Sequence, residues 1–120
     1  MDYKDYTSLN VWKDAKALVS DIYRLTRKFP DNENYGLTSQ MQRCAISVPS
    51  NIAEGCGRNH SKDSIQFFYI SRGSLYELET QIHISLDLEY IKQEELTNIL
   101  NQITVCKKLL NGFINYYKTK

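Results

Sequence analysis

Proline and glycine are scarce, at 2 and 5 of 120 residues. A chain with so few turn-makers is poorly suited to many short strands joined by tight turns, and it favours long helices. Apolar runs are short as well. No stretch approaches the roughly 20 consecutive apolar residues that span a bilayer, and Met1 to Ser8 is polar, without the apolar segment of a secretory signal. Cysteine is limited to Cys44, Cys56 and Cys106, an odd number with no Cys-x-x-Cys spacing. That pattern, without an export signal, fits reduced thiols in a cytoplasmic protein. Cys44 and Cys106 fall on apolar helix faces and read as small core residues. Charge of one sign is also lacking, since the formal net charge is +1. A strongly electrostatic nucleic-acid binder is therefore not indicated for the isolated chain.

What remains is ordinary globular material, 42% hydrophobic and 24% charged. One domain over residues 1–120 is expected, burying roughly two-thirds of its unfolded surface. Hydrophobic spacing marks four helices, at about 9–28, 35–59, 61–89 and 93–118. In the first, Trp12, Ala15, Val19, Ile22 and Phe29 recur at three- and four-residue steps, widened by Leu18 and Leu25. Phe29-Pro30 ends it, because a residue before proline is pushed out of helical geometry. The second has Leu37, Met41, Cys44, Val48 and Ile52 on its buried side. Pro49 sits in its middle and predicts a kink or a break near Ser47–Ser50. Ser61 is a candidate N-cap for the third, with Asp63 in its first turn and Ile65, Phe68, Leu75, Leu78, Ile82 and Leu86 as its apolar set. In the fourth, Leu96, Ile99, Ile103, Cys106, Leu110, Phe113 and Tyr117 form an a/d seam over three heptads. Short connections make successive helices antiparallel, so the expected fold is all-α, an up-and-down four-helix bundle.

Charge is uneven along the chain. Residues 9–29 carry Lys13, Lys16, Arg24, Arg27 and Lys28 against Asp14 and Asp21. Residues 61–89 carry Lys62 and Arg72 against Asp63, Glu77, Glu79, Asp87 and Glu89. A basic side and an acidic side are expected. Lys13, Lys16, Arg24 and Arg27 share one face of the first helix, where they either form an ordinary solvated surface or lie along a phosphate backbone. Nine tyrosines can fill the edges of the bundle or stack on exposed bases.

Gln40, Arg43, Ser47, Asn51, Glu54 and Arg58 make a polar stripe beside the apolar one on the second helix. Glu77 and Glu79 follow Gly73 on the third, where a missing side chain would permit close helix approach. Arg43 and Arg58 could pair with Glu54, Glu77 or Glu79 across the helix interface. The stripe reads as a register-fixing network or solvated face, as a partner or subunit interface, or as a catalytic or metal site. The third reading is the weakest. A carboxylate-bridged metal bundle needs Glu-x-x-His on two helices, whereas Glu79 and His83 are four apart and His60 falls in a connection. No base accompanies a cysteine, and Glu54-Gly55-Cys56-Gly57-Arg58 lacks the preceding strand of a phosphate loop. No metal or cofactor is expected.

Several segments carry a family resemblance. They are Leu9-Asn10-Val11-Trp12; Phe29-Pro30 with Glu33 and Tyr35-Gly36-Leu37; Gln40; Ser47-Val48-Pro49-Ser50-Asn51-Ile52-Ala53-Glu54-Gly55 with Arg58; and Arg72-Gly73-Ser74-Leu75-Tyr76-Glu77-Leu78-Glu79-Thr80-Gln81. From about Leu9 to Tyr117 the chain resembles the small bacterial four-helix-bundle proteins first noted as reading frames inside intervening sequences of 23S rRNA genes. The resemblance implies a closed bundle assembling into a homopentameric ring. It also implies kinship with the accessory variability proteins of diversity-generating retroelements, basic pentameric barrels that bind nucleic acid together with a reverse transcriptase. Family membership alone supplies no activity.

The expected function is therefore a non-catalytic, homo-oligomeric binding module without a membrane role. It would contact RNA or a ribonucleoprotein through Lys13, Lys16, Arg24, Arg27 and Lys28, joined by Lys107 and Lys108. Arg43, Ser47, Asn51, Glu54, Arg58, Gly73, Glu77 and Glu79 would hold helices or subunits in register. The rival is a protein–protein scaffold with no nucleic-acid role, which the near-neutral charge favours.

Overall fold

The computed structural model describes residues 5–120. Four helices, α1 (Asn10–Thr26), α2 (Leu37–Cys56), α3 (Ser61–Asp87) and α4 (Gln93–Lys118), form an antiparallel bundle. Short 3-10 turns stand before α1 (Tyr6–Ser8) and before α2 (Asp31–Glu33). The bundle measures 45 × 25 × 20 Å, the long dimension matching the roughly 40 Å of a 27-residue helix. Among the described residues there is no strand, and no helix is long and apolar enough to cross a membrane.

The core is the set of apolar stripes turned toward one axis: Ala15, Leu18 and Ile22 of α1, Met41, Ala45, Val48 and Ile52 of α2, Phe68, Leu75, Leu78 and Ile82 of α3, and Ile103, Leu110 and Ile114 of α4. On α1 the stripe is rotated from its expected centre. Leu18 and Leu25 lie at its middle, while Trp12 and Val19 are only half-buried on the α2 side.

The structure refines three local expectations. Helix α2 runs unbroken through Pro49, so of the kink or break expected there the break does not occur. Proline deletes one backbone donor, and the turns on either side hold because Val48, Ala45 and Ile52 are locked in the core. Ser61 is not the cap of α3: His60 takes the extended cap position and Ser61 becomes the first helical residue. Helix α3 stops at Asp87, because Glu89 turns left-handed at φ 65° and the Tyr90 N–H reaches back to the Ser85 carbonyl. That closure is a Schellman turn built without glycine.

The remaining ends have identifiable partners. The Glu33 carboxylate accepts the Leu37 N–H at the start of α2 and the Tyr90 hydroxyl at 2.8 Å, and Tyr90 packs on Phe29 with ring centroids 5.1 Å apart. At α4 the Glu95 side chain accepts the Lys92 N–H, one half of a capping box, since a lysine side chain cannot accept the reciprocal bond.

Candidate nucleic-acid interface

Helix α1 sits between α2 and α4. Its amphipathic period turns Lys13, Lys16, Arg24 and Arg27 outward, and all four are exposed. Its two acids face elsewhere. Asp21 accepts a hydrogen bond from Gln102 of α4, and Asp14 lines a groove with Val105 and Cys106 of α4. The outward face therefore presents Lys13, Lys16 and Arg27 without a paired carboxylate among the described residues, over about 21 Å from Lys13 to Arg27. Arg24 also reaches sideways to Asp21 at 2.6 Å, and Lys16 stands 5.3 Å over the Trp12 ring. Beside them an open groove of about 500 Å³ runs between α1 and α2, lined by Trp12, Lys16, Val19, Ile46, Pro49 and Ala53.

The other expected members are not on this face. Lys28 turns to Glu95 of α4 and pairs with it. Its ammonium is the main reason that the Glu95 carboxyl is held below the usual range, helped by the Lys92 N–H. Lys107 lies on the α3–α4 seam, paired with Glu79 and set over the Tyr76 ring at 3.9 Å. Lys108 is exposed on α4. Lys107 thus braces two helices instead of extending the surface of α1.

The polar stripe of α2 divides in two. Ser47 and Asn51 enter a network with α3: Asn51 Nδ2 donates to the Ser47 carbonyl and hydroxyl, both at 2.9 Å, and the Ser74 hydroxyl donates to Ser47 Oγ at 2.9 Å. The buried Ser71 hydroxyl donates to the Val48 carbonyl at 2.8 Å, and the Cys44 thiol donates to the Ser74 carbonyl at 3.0 Å. Small hydroxyl residues at 71 and 74 are the sequence signal for this seam, whereas the charged positions 43, 54 and 58 of the stripe are exposed. Arg43, Glu54, Arg58 and Glu77 are exposed. Arg58 pairs with Glu54 at 3.1 Å along its own helix, not across the interface. Arg43 and Glu77 make no ion pair among the described residues.

Gly73 does not mark close approach, since a Cβ there would meet nothing within 4 Å. The tight contact is at Gly55, where a Cβ would collide with the Phe68 ring and lie 2.9 Å from the Ser64 carbonyl oxygen. The absent side chain of Gly55 is what seats α3 on α2.

The three thiols are not poised as nucleophiles. Burial pushes the Cys44, Cys56 and Cys106 thiols up to about 11, away from the thiolate that a nucleophile needs. The Glu33 carboxylate, by accepting its hydrogen bond, raises Tyr90 above the ordinary phenol value. No group of three or more His, Cys, Asp or Glu among the described residues is placed to hold a metal ion.

Charge follows the ends of the bundle more than its sides. The antiparallel order gathers the start of α1, the end of α2, the start of α3 and the end of α4 at one end. Lys13, Lys16, Arg58, Lys62, Arg72, Lys118 and Lys120 belong to that half, against Asp5, Asp14, Glu54 and Asp63. The opposite half holds Asp21, Asp31, Glu33, Glu77, Glu79, Asp87, Glu89, Glu94 and Glu95 against Arg24, Arg27, Lys28, Arg43 and Lys92, with Lys107, paired to Glu79, and Lys108 near the middle of the bundle.

A family model described as 23S rRNA-intervening sequence protein matches residues 7–112. No curated protein matches the chain. A crystal structure of a protein of unknown function from the S23 ribosomal protein family of Bacteroides thetaiotaomicron has the same fold. It superposes with a TM-score of 0.77 at 23% identity, over 87% of this chain and 97% of that one.

Proposed function

The chain belongs to the 23S rRNA-intervening sequence protein family, and on that premise we propose that it is a non-catalytic, homo-oligomeric binding module of the cytoplasm that contacts RNA or a ribonucleoprotein. The observation that carries the reading is the outward face of α1. Lys13, Lys16, Arg24 and Arg27 project from it while Asp14 and Asp21 turn to the α4 seam. A strip of cations on a straight helix can follow a phosphate backbone and release its counterions. Thiols driven toward about 11 favour binding over catalysis. Pentameric assembly, and kinship with the accessory variability proteins of retroelements, belong to the same proposal.

The test is RNA binding by the purified chain at two salt concentrations, with and without Arg24→Glu/Arg27→Glu. The reading expects salt-sensitive binding that this double variant removes while the helical fold persists. Binding unchanged by the reversal would sink the assignment to α1.

A second reading is a protein scaffold with no nucleic-acid role. Aliphatic side chains on the outer face of α3 favour it: Ile70, Ile84 and Leu88 are 51%, 41% and 48% exposed, a surface that suits a protein partner or a second copy. Nuclease-independent capture of one protein, with no RNA affinity at low salt, would establish it.

A further inference from the structure

Rings and cations are interleaved at the basic end of the bundle. Arg58 lies 4.4 Å over the Phe67 ring. Arg72 and Lys118 share Tyr69 at 4.9 and 5.7 Å, and Lys120 stands 4.7 Å from Tyr117 and 5.5 Å from Tyr116. We propose that this end, built from the first turns of α3 and the last turns of α2 and α4, is a binding platform for unpaired nucleotides of RNA. The proposal rests on the RNA-binding reading above but not on the face of α1.

Three observations support it. First, three of these cations are left without a carboxylate. Arg58 pairs with Glu54 along α2, but Arg72, Lys118 and Lys120 have no ion-pair partner among the described residues. Arg72 donates to the Asn111 amide oxygen, each of the three rests on a ring, and a ring attracts a cation without neutralising it. Their charge is left for a phosphate.

Second, the rings match the other half of a nucleotide. Tyr116 is 37% exposed, and Tyr69 is half-buried against the core beneath two cations. A single strand binds where cations track its backbone and aromatic faces receive its bases. A base arriving on Tyr69 takes the place of an ammonium that swings to the adjoining phosphate, so no contact is left unmade. In a duplex the base faces are stacked inside, and the rings would contribute nothing.

Third, the field of the molecule points the same way. Carboxylates dominate the far half, from Glu77 through Glu95, and repel a polyanion. The basic end attracts it, which selects this end even at a net charge of +1.

The experiment uses the full chain and measures fluorescence anisotropy with unstructured oligouridylate and with an RNA hairpin of equal length. The proteins are the wild type, Lys118→Ala/Lys120→Ala, Tyr116→Ala and Arg24→Glu/Arg27→Glu, each checked for an unchanged melting curve. The platform expects oligouridylate to bind. Removing both lysines should lower the log–log salt slope by about 1.4, at ~0.7 per lost phosphate contact. Tyr116→Ala should weaken the single strand roughly tenfold and leave the hairpin unaffected. Because the lysines are exposed, that variant decides the matter if Tyr116→Ala unfolds. Unchanged affinity and slope in the lysine variant overturn the proposal. So does displacement of oligouridylate by polyglutamate at equal charge, which would mark a site for acidic peptides. If Arg24→Glu/Arg27→Glu abolishes all binding while the end variants are silent, the platform fails and the α1 face stands. The reverse pattern removes the α1 face and keeps the platform.

Discussion

Phe68 of α3 occupies the space that a side chain at Gly55 of α2 would fill. A Cβ at position 55 would run into the Phe68 ring and come within 2.9 Å of the Ser64 carbonyl oxygen, and both Gly55 and Phe68 are buried. Phe68 in turn packs on Phe113 and Tyr117 of α4, each with ring centroids 4.9 Å away. The distance between α2 and α3 at this level is thus set by one missing methyl group and carried to a third helix.

Gly55→Ala is expected to destabilise the fold by about 1–3 kcal/mol, the cost of overpacking a rigid contact. Gly73→Ala is expected to do the opposite. Position 73 is an exposed helix interior with nothing within 4 Å of a Cβ, so alanine should add about 0.5–1 kcal/mol from propensity alone. Urea unfolding of the two variants checks both signs. Destabilisation by Gly73→Ala would restore the close approach that the sequence suggested there.

Glu89 holds a left-handed backbone at φ 65° on an exposed turn. A side chain makes that conformation unfavourable by roughly 1 kcal/mol, and glycine relieves it. Glu89→Gly should therefore raise the melting temperature slightly. The gain is reduced by the greater freedom of glycine in the unfolded chain, so a value of about 0.5 kcal/mol is expected.

Two surface contacts give stability opposite dependences on pH. Glu95 is held below its ordinary value of 4.5 by Lys28 and by the Lys92 N–H. Its contribution is present above the unfolded value and is lost as pH falls through the folded one. Tyr90 is raised above 10.0, chiefly by its hydrogen bond to Glu33. That contribution is present below the unfolded value and is lost as pH rises through the folded one. Melting temperature measured against pH should lose part of its acid limb in Lys28→Met and part of its alkaline limb in Glu33→Gln. Unaltered limbs would show that solvent screens both contacts completely.

The thiols offer a probe of opening. With Cys44, Cys56 and Cys106 all raised to about 11 by burial, an aromatic disulfide reagent at pH 8 should label the native protein slowly. Labelling should become fast at the urea midpoint. Rapid labelling of one thiol without denaturant would show that its helix end opens locally; Cys56, half-buried in the last turn of α2, is where that would be seen.

The fold was legible because the apolar positions of α4 repeat without interruption. Leu96, Ile99, Ile103, Cys106, Leu110 and Tyr117 are buried as the heptad required, while Phe113 is half-buried and Ile114 beside it enters the core, and the short connections left little choice of topology. The seam between α2 and α3 was not legible. Its contacts are made by Ser47, Ser71, Ser74 and Gly55, residues whose hydrophobicity is too slight to mark a face. Their role depends on a register between helices that a single strand of letters does not contain. The same holds for charge. The stripe on α1 could be read from spacing, whereas Lys107 could be assigned to Glu79 only once α3 and α4 stood side by side.

The separation of charge between the two ends also governs how copies of the chain meet in dilute buffer. At about 0.01 M ionic strength the screening length is about 30 Å, comparable with the 45 Å long dimension of the bundle, so the opposed poles of neighbouring molecules attract head to tail. Near 0.15 M it shrinks to about 8 Å, and each pole is hidden from the next molecule. A near-neutral protein built this way is least soluble in the weakest buffers, and added salt disperses it.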